Sequence, residues 1–191
     1  MQNTSYQSNV SSELSLTPSD ALSSVEAPRG DLHLCFELAT LQCPDEPGYF
    51  AFPATGIVEV IELSDAQITV VPNTSPVVVG AFNLRGEVLW IVDLEYCLQS
   101  TSFTTSGLIT VIIIQDGEQK LGLPVDGIKG MVWLDPAQMQ PELPATMSPR
   151  LQPFVQAQVR SASISEQATL YVLDPTAIMR SQFWAAQSAH F

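Results

Sequence analysis

The side chains able to do covalent chemistry are few. His33 and His190 are the only histidines in 191 residues. A Ser-His-Asp or Cys-His relay needs an imidazole beside both a nucleophile and an orienting acid. His190 stands one residue from the last, and His33 sits in an apolar alternation. A strand side chain on the polar face is the plainer reading of His33, since one base is not a constellation. Cys35, Cys43 and Cys97 are odd in number and irregularly spaced. They fit no zinc pattern and read as reduced thiols of a cytoplasmic protein. No Asp-rich calcium loop or Gly-rich phosphate loop is present. Asp93, Glu95, Asp116 and Asp126 could pair for acid–base work. Asp116-Gly117 and Asp126-Gly127 approach the Asp-Thr-Gly of aspartic peptidases but lack the threonine, so both read as turn aspartates. No catalytic set, metal site or cofactor site is expected.

Arg85 is the exception, one of seven basic residues in a chain of net charge −13. It stands in Asn83-Leu84-Arg85-Gly86-Glu87, a turn in which Gly86 can supply φ > 0. A guanidinium there offers a planar fork of donors to a carboxylate or a carbonyl. Three readings stay open: contact with a partner, a solvated turn arginine, or a salt bridge to Glu87 or Glu59.

The elements that must position Arg85 are two β-branched runs, Val77-Val78-Val79 and Val88-Leu89-Trp90-Ile91-Val92, which read as a β-hairpin. Gly80 marks a bulge or a close backbone approach just before the turn. Asp93 is an expected N-cap for one helical turn at Leu94-Glu95-Tyr96-Cys97-Leu98.

Composition excludes several classes. The scattered bases cannot neutralise a row of phosphates, which argues against nucleic acid, and the charge equally disfavours an anionic membrane surface. The longest apolar run, Leu108 to Ile114, is strand length, far below the ~20 residues of a spanning helix. No signal peptide is read at the N-terminus. A chain this long can bury roughly 70% of its unfolded surface without a disulfide or metal.

Residues 1–30 are rich in Ser, Thr, Gln and Asn and read as a disordered tail. Order is expected from Asp31, with Leu32, Leu34, Phe36 and Leu38 alternating against His33, Cys35 and Glu37 in a half-buried strand. Residues 43–48 read as a loop, Tyr49 to Phe52 as the antiparallel return, and 56–63 and 67–71 as two further strands. Leu108 to Gln115 reads as a fully buried strand, with hairpin turns at Asp116-Gly117 and again at Asp126-Gly127. After Ile128 to Leu134 comes a long irregular connection to Pro153. Strands around Val155–Val159 and Thr169–Leu173 follow. Asp174 then caps a short C-terminal helix with Pro175 at its first position, carrying Met179, Phe183 and Ala186 on one face. Residues 182–191 are its end or a tail. About eleven short strands make an all-β protein, a sandwich or barrels. The expected core is Phe36, Phe52, Ile68, Leu89, Ile91, Val111, Ile113, Leu123, Val132, Val159 and Val172.

Gly80, Asn83, Leu84, Arg85, Gly86, Ile91, Val92, Asp93 and Leu94 stand in the register G-x-x-N-L-R-G-x-x-x-P-[IV]-[IV]-D-L. This resembles the signature segment of the CheW-like coupling proteins of bacterial chemotaxis, with Trp90 where that family usually has proline. Ile57-Val58-Glu59-Val60 resembles the family's V-x-E-[IV], and Gly122 to Ile128 its G-x-x-V-D-x-[VI]. The resemblance covers nearly all of residues 31–181. It implies two small five-stranded SH3-like β-barrels sharing a hydrophobic core. It implies a non-enzymatic cytoplasmic adaptor at membrane receptor arrays, coupling a methyl-accepting chemoreceptor to a CheA-type histidine kinase. Ile57, Glu59, Gly80, Asn83, Leu84, Arg85 and Gly86 are then the partner-binding residues. The alternative is a β-barrel that binds a small apolar ligand in a persistent cavity.

Overall fold

A computed structural model describes residues 29–43, 46–99, 107–160, 164 and 168–181. The N-terminal tail expected over 1–30 and the tail over 182–191 fall almost wholly outside them, as do Phe183 and Ala186.

Ten strands are present among the described residues: β1 (Asp31–Cys43), β2 (Glu46–Pro53), β3 (Ile57–Ser64), β4 (Val78–Leu84), β5 (Glu87–Val92), β6 (Leu108–Asp116), β7 (Gln119–Val125), β8 (Gly127–Leu134), β9 (Val155–Arg160) and β10 (Thr169–Leu173). The two helices are α1 (Leu94–Gln99) and α2 (Pro175–Met179). The strands form two five-stranded sheets, β8-β1-β2-β10-β9 and β3-β6-β7-β5-β4. Each is curled into an SH3-like barrel.

Period-2 alternation distributes side chains between three cores. On β6, Val111 and Ile113 fill the second barrel, whereas Ile112 and Ile114 enter a core shared by both barrels. On β10, Leu170 and Val172 line the first barrel, whereas Tyr171 and Leu173 join the shared core. The continuous apolar run of β6 is therefore buried on both faces, as its composition predicts. β1 behaves in the same way, and here the expectation of a half-buried strand fails. Leu34, Phe36 and Leu38 face the shared core, but Cys35 fills the first barrel and His33 is 3% exposed. His33 Nδ1 lies 2.9 Å from the Asp31 carbonyl oxygen. A carbonyl can only accept, so this nitrogen carries the proton.

Four further expectations are corrected. Residues 67–71 are not a strand: Asp65–Gln67 is a 3-10 turn capped by Ser64, and only Thr69 forms a bridge, to Ala81. The loop expected over 43–48 is shorter, because β1 runs to Cys43 and β2 starts at Glu46. Asp126-Gly127 is no hairpin turn; it carries the chain from one sheet to the other. Its backbone is held where the Asp126 amide donates to the Glu37 carbonyl at 3.1 Å. Ile68 and Val132 are half-buried at the margins of the barrel cores; the other nine expected core residues are buried.

The two barrels are copies in topology. Both sheets pair antiparallel, antiparallel, parallel, antiparallel in the order given. Their registers superpose: Val60 pairs with Ile112 as Met131 pairs with Leu34, and Ile91 with Gly122 as Val172 with Ala51. Gly56-Ile57 to Ala66-Gln67 matches Gly127-Ile128 to Ala137-Gln138, with a common leucine at Leu63 and Leu134. Asp93 and Asp174 cap α1 and α2 with their carboxylates, accepting from Tyr96 N at 2.8 Å and from Thr176 N at 2.8 Å. Each barrel takes its hairpin from one half of the chain and its other three strands from the other. Neither half can bury its apolar face alone.

Candidate functional site

The candidate site is built on the β4–β5 hairpin. Leu84 pairs with Glu87, which leaves a two-residue loop of Arg85 and Gly86 with φ of 52° and 95°. Two positive φ values make a type I′ turn, whose twist matches that of the flanking strands. Gly86 adopts φ > 0 without strain, but Arg85 bears about 1 kcal/mol in the left-handed region. The Gly86 amide donates to Asn83 Oδ1 at 2.8 Å and closes the turn.

Gly80 satisfies both readings made of it. The β4–β5 register shifts between Val78 and Gly80, the mark of a bulge. A Cβ at Gly80 would also stand 2.5 Å from the Thr69 carbonyl oxygen. The segment carrying Thr69 presses on β4 here, with Thr69 and Ala81 exchanging backbone hydrogen bonds at 2.8 and 2.9 Å.

Arg85 reaches Glu59 with both arms of its fork, at 2.9 Å to Oε1 and 2.8 Å to Oε2. Of the two intramolecular partners weighed for it, Glu59 is the one taken. Glu87 is held instead by Lys120, 2.6 Å away, whose hydrogen bond and charge keep its carboxyl below the usual range. β3 and β4 are the two edges of their sheet. The Arg85–Glu59 pair therefore spans the seam of the second barrel. Its guanidinium stays open to solvent, with the side chain 76% exposed against 23% for Glu59.

The seven residues singled out in the sequence divide by burial. Asn83, Arg85 and Gly86 are exposed and Glu59 is half-buried at the seam. Ile57 and Leu84 are half-buried and pack on the shared core and the second barrel core. Gly80 is buried. The tip has neighbours that the sequence did not single out. Val88 is 70% exposed and, with Leu84, Glu87, Leu89, Glu118 and Lys120, lines a shallow recess of about 180 Å³. The alternation of β5 marks Val88 as outward, since Leu89 and Ile91 point inward, but Lys120 comes from a different hairpin. The barrel copies also differ here. The register mate of Glu59 is Gly130, so only the second barrel can carry this ion pair.

The chain matches known proteins over most of its length. The family model for the CheW-like domain covers residues 33–183. The chemotaxis protein CheW of Thermotoga maritima is 31% identical over 97 residues, 51% of this chain and 61% of that protein. Its counterpart in Klebsiella aerogenes is 31% identical over 77 residues, 39% of this chain and 45% of that protein. The chain thus spans about half the length of the curated relatives it matches. The crystal structure of the scaffolding protein TtCheW from Thermoanaerobacter tengcongensis has the same fold, with a TM-score of 0.60 and 22% identity over 76% of this chain and 89% of that one. By its barrel pair, its Asn83-Leu84-Arg85-Gly86 turn and the family match over residues 33–183, the chain belongs to the CheW-like domain family.

Proposed function

We propose that this protein is a non-enzymatic adaptor that couples a methyl-accepting chemoreceptor to a CheA-type histidine kinase. Its output is chemotaxis, phototaxis or twitching motility. The supporting observation is the exposed guanidinium of Arg85, carried on a type I′ tip and oriented by its two hydrogen bonds to Glu59. A rigid support removes part of the entropic cost of ordering an interface side chain, and arginine is enriched among residues that dominate interface energies. Asn83, Gly86 and Glu59 extend the docking surface, while Ile57, Gly80 and Leu84 shape it from beneath. Coupling by such an adaptor is assembly: binding both partners shifts the populations of kinase states, with no bond made or broken. The protein acts in the cytoplasm at receptor arrays. Filled barrel interiors favour recognition on the outer surface over uptake of a small apolar ligand.

Binding of purified kinase and receptor fragments to Arg85 variants tests this. Arg85→Ala is expected to weaken binding by roughly 1–3 kcal/mol. Arg85→Lys restores it only in part, because an ammonium lacks the fork. Arg85→Glu is worse, since it places like charge against an acidic partner site. Native affinity in all three variants removes Arg85 from the interface. No capture of a kinase or receptor by the unmodified chain removes the adaptor reading itself.

A further inference from the structure

Val58 and Val60 on β3 are 44% and 40% exposed, side by side on the edge strand that also carries Glu59. Val60 pairs with Ile112, so the two share one face of the sheet. That face is the one α2 covers, because Ile112 packs in the same core as Ile178 and Met179. α2 begins directly against the entry to β3, where the absence of a side chain on Gly56 lets Pro175 close in; a Cβ there would meet it at 2.9 Å. The end of α2 is tied to the same end of the sheet by Arg180 Nε and Asp116 Oδ2, 3.0 Å apart. From Asp116 it is four residues along β6 to Ile112, about 13 Å at ~3.3 Å per residue. The sequence leaving this point is Gln182-Phe183-Trp184-Ala185-Ala186-Gln187-Ser188-Ala189-His190-Phe191. It carries three aromatics and no Asp, Glu, Lys or Arg, in a chain otherwise strongly acidic. Ten extended residues reach up to ~33 Å, so Val58 and Val60 lie well within range.

We propose that the segment 182–191 continues the cover begun by α2 onto the exposed β3 margin of that face, seating Phe183 and Trp184 against Val58 and Val60. Length and point of departure bring the segment there. Its lack of acidic side chains suits a face that also bears Glu62, paired with Thr110 two residues along β6 from Ile112. The docked segment borders the seam closed by Arg85 and Glu59.

The full chain labelled with 5-fluorotryptophan gives three fluorine resonances, from Trp90, Trp133 and Trp184, assigned by single Trp→Phe variants. The resonance of Trp184 is expected away from the position of the free amino acid, with a reduced shift between H2O and D2O. Val60→Asp should return it to the free position while those of Trp90 and Trp133 stay in place, which also shows that the variant is folded. Val60→Ile should leave it docked. A Trp184 resonance at the free position in the unmodified chain overturns the proposal. So does one that Val60→Asp does not move, which would seat the segment elsewhere. A resonance that moves with protein concentration also overturns it, because the cover would then come from a second copy.

Discussion

Arg85 and Glu59 stand 26 residues apart in the chain and meet fork to carboxylate across the two edge strands of one sheet. With the arginine largely in water, the pair contributes little to folding, on the order of 0.2–1 kcal/mol. Its physical effect is to bias an exposed side chain toward one of the many orientations it samples.

A double-mutant cycle with Arg85→Ala and Glu59→Gln, read by urea denaturation, should give a coupling no greater than about 1 kcal/mol. Arg85→Gly should be more stable than Arg85→Ala by about 1 kcal/mol, because glycine relieves the left-handed backbone. A coupling of several kcal/mol would make the pair a structural clasp of the barrel.

Gly80→Ala should destabilise the fold by roughly 1–3 kcal/mol, the usual cost of overpacking. The new methyl would stand 2.5 Å from a backbone oxygen at Thr69 and 2.7 Å from Ile68 Cγ2. Backbone yields less readily than a side-chain tip. An unchanged denaturation midpoint would show that the Thr69 segment swings away at no cost.

Ile113 is fully buried inside the second barrel. Ile113→Ala should cost about 2–5 kcal/mol. Ile68→Ala, at a half-buried site, should cost less. Reversal of that order in chemical denaturation would contradict the assignment of Ile113 to the barrel interior.

Burial pushes the thiols of Cys35 and Cys97 up to about 12, with the Asp93 charge adding to the rise at Cys97. In the unfolded chain both ionise near 9. Between about pH 9 and 12 the unfolded state therefore holds fewer protons than the native state, and stability falls as pH rises. The contribution is intact below pH 9. Alkylation mapped by mass spectrometry at pH 8 should spare both cysteines in the native protein and modify both in urea. Rapid native labelling of either one would show that its strand or helix opens readily.

Deleting residues 1–28 should leave the melting temperature nearly unchanged, since that stretch has too little apolar content to fold on its own. The cut belongs before Arg29, because Gly30 packs on Leu134 and Asp135: a Cβ on it would stand 2.1 Å from the Leu134 carbonyl oxygen. A large drop in melting temperature would show that the tail docks on the barrels.

What the chain declares unaided is local. Asp116-Gly117 closes the β6–β7 hairpin, with Gly117 at φ 62°. Asp174-Pro175 starts α2, and Asp93 caps α1. These rest on the geometry of three or four consecutive residues, and here the tertiary structure keeps each of them. The unbroken apolar run of β6 likewise states that both its faces are buried. Turn chemistry could not say where the chain goes next. Asp126-Gly127 has the residues of a hairpin turn, yet the hydrogen bonds of β8 are taken up by β1, and the chain crosses to the other barrel. His33 and Cys35 read as a polar face because their types are ambiguous. Only the first barrel, closed by strands from about 100 residues further on, buries them. The Gly80 bulge was readable as a place of close approach, but the Thr69 backbone that approaches it was not. In the candidate site, Asn83, Arg85 and Gly86 declared themselves through the turn they form. The choice of Glu59 over Glu87 as the partner of Arg85 depended on which strands become the two edges of a curled sheet. That is a property of pairing between distant segments, and no local pattern encodes it.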